Sequence, residues 1–193
     1  AKETQMLGEA CLMRMADAEG TEEAIKILRE AGYSGSTQEE MLADELAKTY
    51  RLLAEISPLP EAFRLFMVKS DYHNIKVLIK AEYLGKDYDF LLKSDGRIAP
   101  GRLKDIITSR VLTDLSPIMQ KAVLSAIDTL AKTDNPQFAD LILDKAAYAE
   151  MRSMAADADS AFIQELVKVM IDLANLRMLL RVQKMGKNVE FLL

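Results

Sequence analysis

The sequence predicts an all-α fold in which one helical module is used twice. Three observations carry that reading. First, the segment from Asp71-Tyr72-His73-Asn74 to Phe90-Leu91-Leu92 recurs from Asp172-Leu173-Ala174-Asn175 to Phe191-Leu192-Leu193, at one constant offset (172 − 71 = 101). Asp, Asn, Leu78/Leu179, Gly85/Gly186, Lys86/Lys187 and the closing Phe-Leu-Leu are identical, and most other differences keep the chemistry. A register held without a gap means that one supersecondary unit is present in two copies. Second, half the residues are hydrophobic but only 6% are aromatic, with 11 Met and no Trp, a composition suited to helix-on-helix packing. Third, no stretch shows sustained period-2 alternation or an Asn-Gly hairpin turn. The modules divide as residues 1–92 and 93–193.

The elements follow in order. Residues 3–18 carry Met6, Leu7, Ala10, Leu12 and Met13 at helical spacing and stop near Gly20. Thr21 is the expected N-cap of a second helix, with Glu22 and Glu23 in the dipole-favoured first turn and Gly32 just past its end. Thr37-Gln38-Glu39-Glu40 is a capping box that opens a helix to about Ile56. Pro58 and Pro60 break the chain before a long helix from about Glu61 to Leu84, ended by Gly85. Residues 93–99 form the one strong linker candidate, between the two repeats. Pro100 precedes a short helix with Leu103, Ile106 and Ile107. Ser116-Pro117 and Asn135-Pro136 are N-cap/N1 pairs for helices over 117–132 and 136–157. The last helix spans Ala161 to Met185 and stops at Gly186. It reads as apolar nearly all round and therefore buried in protein.

Composition also excludes functions. A net charge of −5 and a pI near 5.1 argue against general nucleic-acid binding, which needs a basic face. The single Cys11 cannot form an internal disulfide and reads as a small buried hydrophobe. No Cys/His cluster offers a metal cage, and no cofactor is expected. The first dozen residues do not read as a signal peptide. Phe162 to Val182 is the most hydrophobic stretch, but Asp172 and Arg177 would each cost roughly 2.5–3.5 kcal/mol near the centre of a bilayer, so it is not a membrane span. The chain reads as soluble.

The repeated polar pairs carry the chemistry. Asp71 and Asn74, like Asp172 and Asn175, lie three apart and share a helix face. Each pair interrupts an apolar stripe and costs stability unless both members find partners. The expected role is a latch that fixes helix register rather than a catalytic dyad. His73 is the sole histidine, and residues two apart on a helix point in different directions, which makes Asp71–His73 a poor relay. Gly85 and Gly186 read as helix stops, with Phe90-Leu91-Leu92 and Phe191-Leu192-Leu193 folding back onto the helices that they leave. Lys76, Lys80, Arg177 and Arg181 form basic strips. These suit either a solvated face paired with neighbouring acids or a docking surface for an acidic partner or lipid head groups.

Ser70 through Gly85 resembles the Asp-Tyr-His-Asn-Leu-Lys-x-Leu-Leu-Lys-Ala-x-x-Leu-Gly hallmark of the C-subunit family of V-type (archaeal and vacuolar) ATPases, whose eukaryotic vacuolar member is called the d subunit. Ile171 through Gly186 is similar to that family's Ile-Asp-Leu-Thr-Asn-Ile-Arg segment, with Ala174 where Thr is usual. Leu143-Asp144-Lys145-Ala146-Ala147-Tyr148 matches the segment expected between them, and Thr21 through Tyr33 is similar to the early region.

The resemblance implies a funnel of helices around a pseudo-threefold axis, with a third repeat that this chain lacks. It also implies a non-catalytic rotor component at the cytoplasmic face of the membrane. That component joins the central stalk, built from the D and F subunits, to the membrane rotor ring and couples ATP chemistry to proton or sodium transport. No active site of its own is implied, and membrane association comes through the complex. An exposed apolar edge left by the missing repeat would favour self-association. The alternative is a free-standing helical-repeat adaptor for protein partners; a small hydrolase using His73 with Asp71 is the weakest reading.

Overall fold

The computed structural model describes residues 6–57 and 60–186, with the backbone alone for residues 54 and 60–63. Phe191, Lys187 and Pro58 therefore lie outside the described residues. Eight α-helices and two 3-10 segments make up the described chain, with no strand among them. No helix there is long and apolar enough to cross a membrane. The chain forms two compact units, Ala1–Ser57 and Pro58–Leu193.

The first unit holds α1 (Glu9–Ala16), α2 (Thr21–Glu30) and α3 (Gln38–Ile56). The N-cap of α2 is Gly20, one residue before the expected Thr21, and it offers no side-chain cap. Glu23 compensates by accepting the backbone N–H of Glu19 at 2.9 Å. At α3 the expected cap is present: Thr37 Oγ1 accepts the Glu40 N–H at 3.2 Å. Cys11 is half-buried rather than buried, because α1 buries none of its residues. Ile27 and Met41 form the buried apolar centre of this unit.

The second unit contains most of the core. A 3-10 segment, Pro60–Met67, leads into α4 (Val68–Leu84), so the predicted long helix starts with a tighter winding than expected. Gly85 ends α4 in the left-handed region at φ 61°, which costs glycine little, and the Lys86 N–H then bonds back to the Ala81 carbonyl. Asp89–Leu91 is a short 3-10 turn. There follow α5 (Pro100–Ser109), α6 (Pro117–Thr133), α7 (Pro136–Asp157) and α8 (Ala161–Lys184). Ser116 and Asn135 cap α6 and α7 through the backbone N–H groups of Met119 and Gln137. Pro is accommodated at the first position of α5, α6 and α7, where an N–H would have no helical partner.

Helices α4, α5, α6 and α7 close on one core that includes Tyr72, Ile75, Leu103, Ile107, Met119, Leu143 and Met151. Burying one Leu, Ile or Met side chain of this kind contributes about 1.5–3 kcal/mol. Helix α8 departs from expectation. It buries only Ile163, Val167 and Val182, while Phe162, Val169, Leu173, Leu176 and Leu180 are exposed. Its all-round apolar pattern is real, but one side of the helix lies uncovered by any described residue.

Candidate functional site: a buried polar latch on helix α4

Asp71 sits in the first turn of α4 and is fully buried, as is Asn74 one turn later. Both point at the segment Lys93–Ile98, which composition marked only as a linker. Asn74 reads the Lys93 backbone twice: its Nδ2–H donates to the Lys93 carbonyl and its Oδ1 accepts the Lys93 N–H, both at 2.8 Å. That is the pairing that a neighbouring strand would offer, supplied by one side-chain amide. Asp71 Oδ1 accepts the Ile98 N–H at 3.1 Å, and Oδ2 accepts Arg97 Nε at 2.7 Å. Gly96 is what allows the loop to approach so closely. A Cβ there would stand well inside van der Waals contact with Asp71 Oδ1.

Arg97 extends the latch to α7. Its Nη2 donates to Glu150 Oε1 at 2.7 Å, and Nη1 lies 3.2 Å from Met154 Sδ. Glu150 is buried on the apolar side of α7, beside Ala147 and Met151. Its Oε2 accepts the Tyr72 hydroxyl at 2.8 Å and the Ser116 hydroxyl at 2.9 Å. Ser116 therefore does two jobs, capping α6 with its oxygen and satisfying Glu150 with its proton. One guanidinium serves two buried carboxylates, and neutral donors supply the remaining hydrogen bonds that burial demands.

The electrostatics follow from this shielding. Burial pushes the Asp71 carboxyl above its ordinary value, against the pull of Arg97 and the Ile98 N–H. Burial works against the charge of Arg97, but its bonds to Asp71 and Glu150 outweigh it and hold its pKa above the usual value. Tyr72 is raised, first by burial and then by its bond to the Glu150 carboxylate. These donors and acceptors face one another. The arrangement ties α4, the Lys93–Ile98 loop, α7 and the start of α6 into one body.

The other sequence-predicted residues fall in distinct places. His73 is half-buried, with Nε2 3.0 Å from the Leu91 carbonyl, while the Asp71 carboxylate is occupied by Arg97 and Ile98. No Asp71–His73 relay is formed. The segment from Phe90 folds back against α4, as expected, with the Leu91 carbonyl beside His73, but the Phe90 ring itself is exposed, at an interplanar angle of 56° to Tyr88. Lys76 pairs with Asp144 and Lys80 with Asp140, the latter at 2.6 Å, which joins α4 to α7. Arg177 and Arg181 are exposed and border a 450 Å³ groove with Lys69, Asp144 and Tyr148, where the Lys69 ammonium lies 4.8 Å from the Tyr148 ring centre. Asp172 and Asn175 are exposed, and Gly186 takes φ 66° at the end of α8.

Sequence reasoning missed Arg97 and Glu150. Glu150 left a faint sign, an acid on the apolar stripe of α7. Arg97 left none, because an arginine in a polar linker reads as solvated.

No solved structure matches the chain. Among curated proteins it resembles the C subunit of the V-type sodium ATPase of Enterococcus hirae, 28% identical over 135 residues, covering 70% of this chain and 41% of that protein. It also resembles the C subunit of the A-type ATP synthase of Methanocaldococcus jannaschii, at 25% identity over 98% of this chain and 54% of that protein. The C subunit of the V-type ATP synthase of Thermus thermophilus is 22% identical over 84% of this chain and 54% of its own length. The chain thus spans about half the length of the curated relatives it matches. The sequence model of the family described as ATP synthase (C/AC39) subunit matches residues 1–192. With that match running through both copies of the Asp–Asn repeat, the chain belongs to the ATP synthase C/AC39 subunit family.

Proposed function

We propose that the chain supplies part of a non-catalytic central-rotor subunit of a V/A-type rotary ATPase, at the cytoplasmic face of the membrane. In this reading it links the central stalk, built from the D and F subunits, to the membrane rotor ring and couples ATP hydrolysis or synthesis to proton or sodium transport. The observation that carries the proposal is the family match over residues 1–192, with relatives named as the C subunits of V-type and A-type enzymes. The latch supports it physically. A torque-bearing body needs helices that keep their register, and buried, mutually satisfied polar groups hold register better than apolar contacts alone.

Residues 1–92 and 93–193 are then two copies of the family's repeat, with a third copy completing a funnel. Arg177 and Arg181 are the proposed docking cations for an acidic partner, while Lys76 and Lys80 are engaged by Asp144 and Asp140.

A free-standing adaptor is the second reading. It is favoured by an apolar groove of 490 Å³ within residues 1–57, lined by Ile25, Leu28, Met41 and Leu42 among others. Affinity purification of the tagged chain from its native cells separates the two. Recovery with ATPase head and stalk subunits is the expected result. A stable complex with unrelated proteins alone would overturn the rotor reading in favour of the adaptor.

A further inference from the structure

Helices α2 and α3 line one groove with matching stripes. On α2 the lining residues are Thr21, Ala24, Ile25 and Leu28. On α3 they are Gln38, Met41, Leu42 and Glu45. Both sets fall at i, i+3, i+4 and i+7, which is one face of a helix over two turns. The groove they border has a volume of 490 Å³, and its apolar wall is incompletely covered: Leu42 is 64% exposed, and Ile25 and Leu28 are half-buried.

The charge around this groove is one-sided. Residues 1–57 carry 12 acids against 6 bases, a formal charge of −6, whereas residues 58–193 carry 18 acids against 19 bases. Three of the six bases are already engaged. Arg14 pairs with Glu30, Lys48 with Asp44 and Glu45, and Arg29 donates to the carbonyls of Gly35 and Ser36. Glu22 and Glu39 stand one turn before Ile25 and Leu42, so each flanks one stripe. Both are exposed and have no ion-pair partner among the described residues.

We propose that the α2–α3 groove is a docking site for a cationic amphipathic helix of a partner protein. That helix seats an apolar row between the two stripes and lays Lys or Arg side chains on Glu22 and Glu39. Three observations select this occupant. The described residues include no strand, so the groove offers no open backbone edge, and an incoming segment must satisfy its own N–H and C=O groups as a helix does. Each stripe runs from i to i+7, roughly 10 Å at the helical rise, which a partner row of the same spacing matches. The flanking acids set the sign, because opposite charges at a rim steer and orient a partner while like charges reject it. A second copy of the chain, with its net charge of −5, or an anionic lipid surface would meet that repulsion. The proposal names an occupant for the groove that favours the adaptor reading, and a rotor subunit can carry the same groove. Its failure is therefore read from direct binding, separately from the partners recovered by affinity purification.

The test titrates a synthetic helical peptide of about 14 residues into the ¹⁵N-labelled full chain. The peptide carries leucine at i, i+3, i+4 and i+7, with lysine and alanine elsewhere, and a second peptide has glutamate in place of each lysine. Amide resonances within residues 21–45 are expected to shift saturably with the lysine peptide and at least ~10-fold more weakly with the glutamate peptide. Glu22→Lys combined with Glu39→Lys is expected to reverse that preference, and Leu42→Ser, also at an exposed site, to weaken the lysine peptide at least ~10-fold. Leu124→Ser, at an exposed site on α6, is expected to change neither. Absence of saturable shifts by about 1 mM lysine peptide would overturn the proposal. So would equal affinity for the two peptides, which would mean apolar adhesion without charge recognition, or shifts confined to residues 60–186. Shifts of the same amides with chain concentration alone, unaffected by peptide, would assign the groove to a second copy and equally overturn it.

Discussion

At Gly96 the missing side chain matters because of what stands opposite. A methyl group would press on Asp71 Oδ1, so Gly96→Ala must push the loop outward and lengthen the Arg97 and Ile98 bonds. Overpacking of this kind costs about 1–3 kcal/mol, and a lower urea midpoint at unchanged slope is the expected readout. Arg97→Ala is more severe, because it leaves two buried carboxylates without their shared cation, at a cost of about 3–5 kcal/mol. Adding Asp71→Asn to it is expected to cost less than the two single losses combined. A double-mutant cycle measures that coupling, and strict additivity would refute the latch. Tyr72 gives a pH signature. Its folded pKa lies above the ordinary 10.0, so its contribution is fully present below pH 10 and is lost as the pH rises beyond that toward the folded value. Wild-type stability is therefore expected to fall above pH 10 more steeply than that of Tyr72→Phe, which has no phenol to ionise. Equilibrium unfolding at a series of alkaline pH values checks this. Asp71 and Asn74 were legible in the sequence because they appear twice on an apolar stripe. Their partners were not, since Arg97 lies 26 residues from Asp71 and Glu150 lies 78 from Tyr72, and a single chain carries no mark of such pairings.

Between elements, α4 and α8 show what sequence pattern encodes and what it leaves open. Helix starts were readable wherever a side chain caps its own backbone, as at Thr37, Ser116 and Asn135, because that chemistry is local. Burial was not, because periodicity records which faces a helix offers but not which are covered. The same repeat position therefore behaves differently in the two helices. Ile75→Ala opens a cavity in the core and is expected to cost about 2–5 kcal/mol, whereas Leu176→Ala, its counterpart on α8, is expected to stay within about 0.5 kcal/mol. Thermal or urea denaturation of the two variants in parallel decides the point. Equal losses would mean that α8 is covered in solution by this chain itself.

For the whole molecule, two compact units imply unequal local stability. The first unit centres on Ile27 and Met41, while the second has an extended core spanning α4 to α7 with the latch inside it. Opening free energies follow buried apolar contact, so backbone amides of α2 are expected to exchange with deuterium at least ~10-fold faster than those of α6. Uniform protection across both would show that the chain opens as one unit. The all-α class and the duplication were plain in the sequence, because both follow from periodicity and self-similarity. The division near residue 57 was not, because the prolines there also read as a simple break between helices.

The latch also sets a schedule. Asp71 emerges from the ribosome 26 residues before Arg97, and Arg97 emerges 53 residues before Glu150. At roughly 5–20 residues per second, Tyr72 waits about 4–16 s for Glu150. Asp71 gains Arg97 within that interval, whereas the Tyr72 phenol has no carboxylate to be buried against until Glu150 emerges. The helix that anchors the finished core is therefore held back from final docking until α7 has been made, and the order of synthesis becomes the order of assembly.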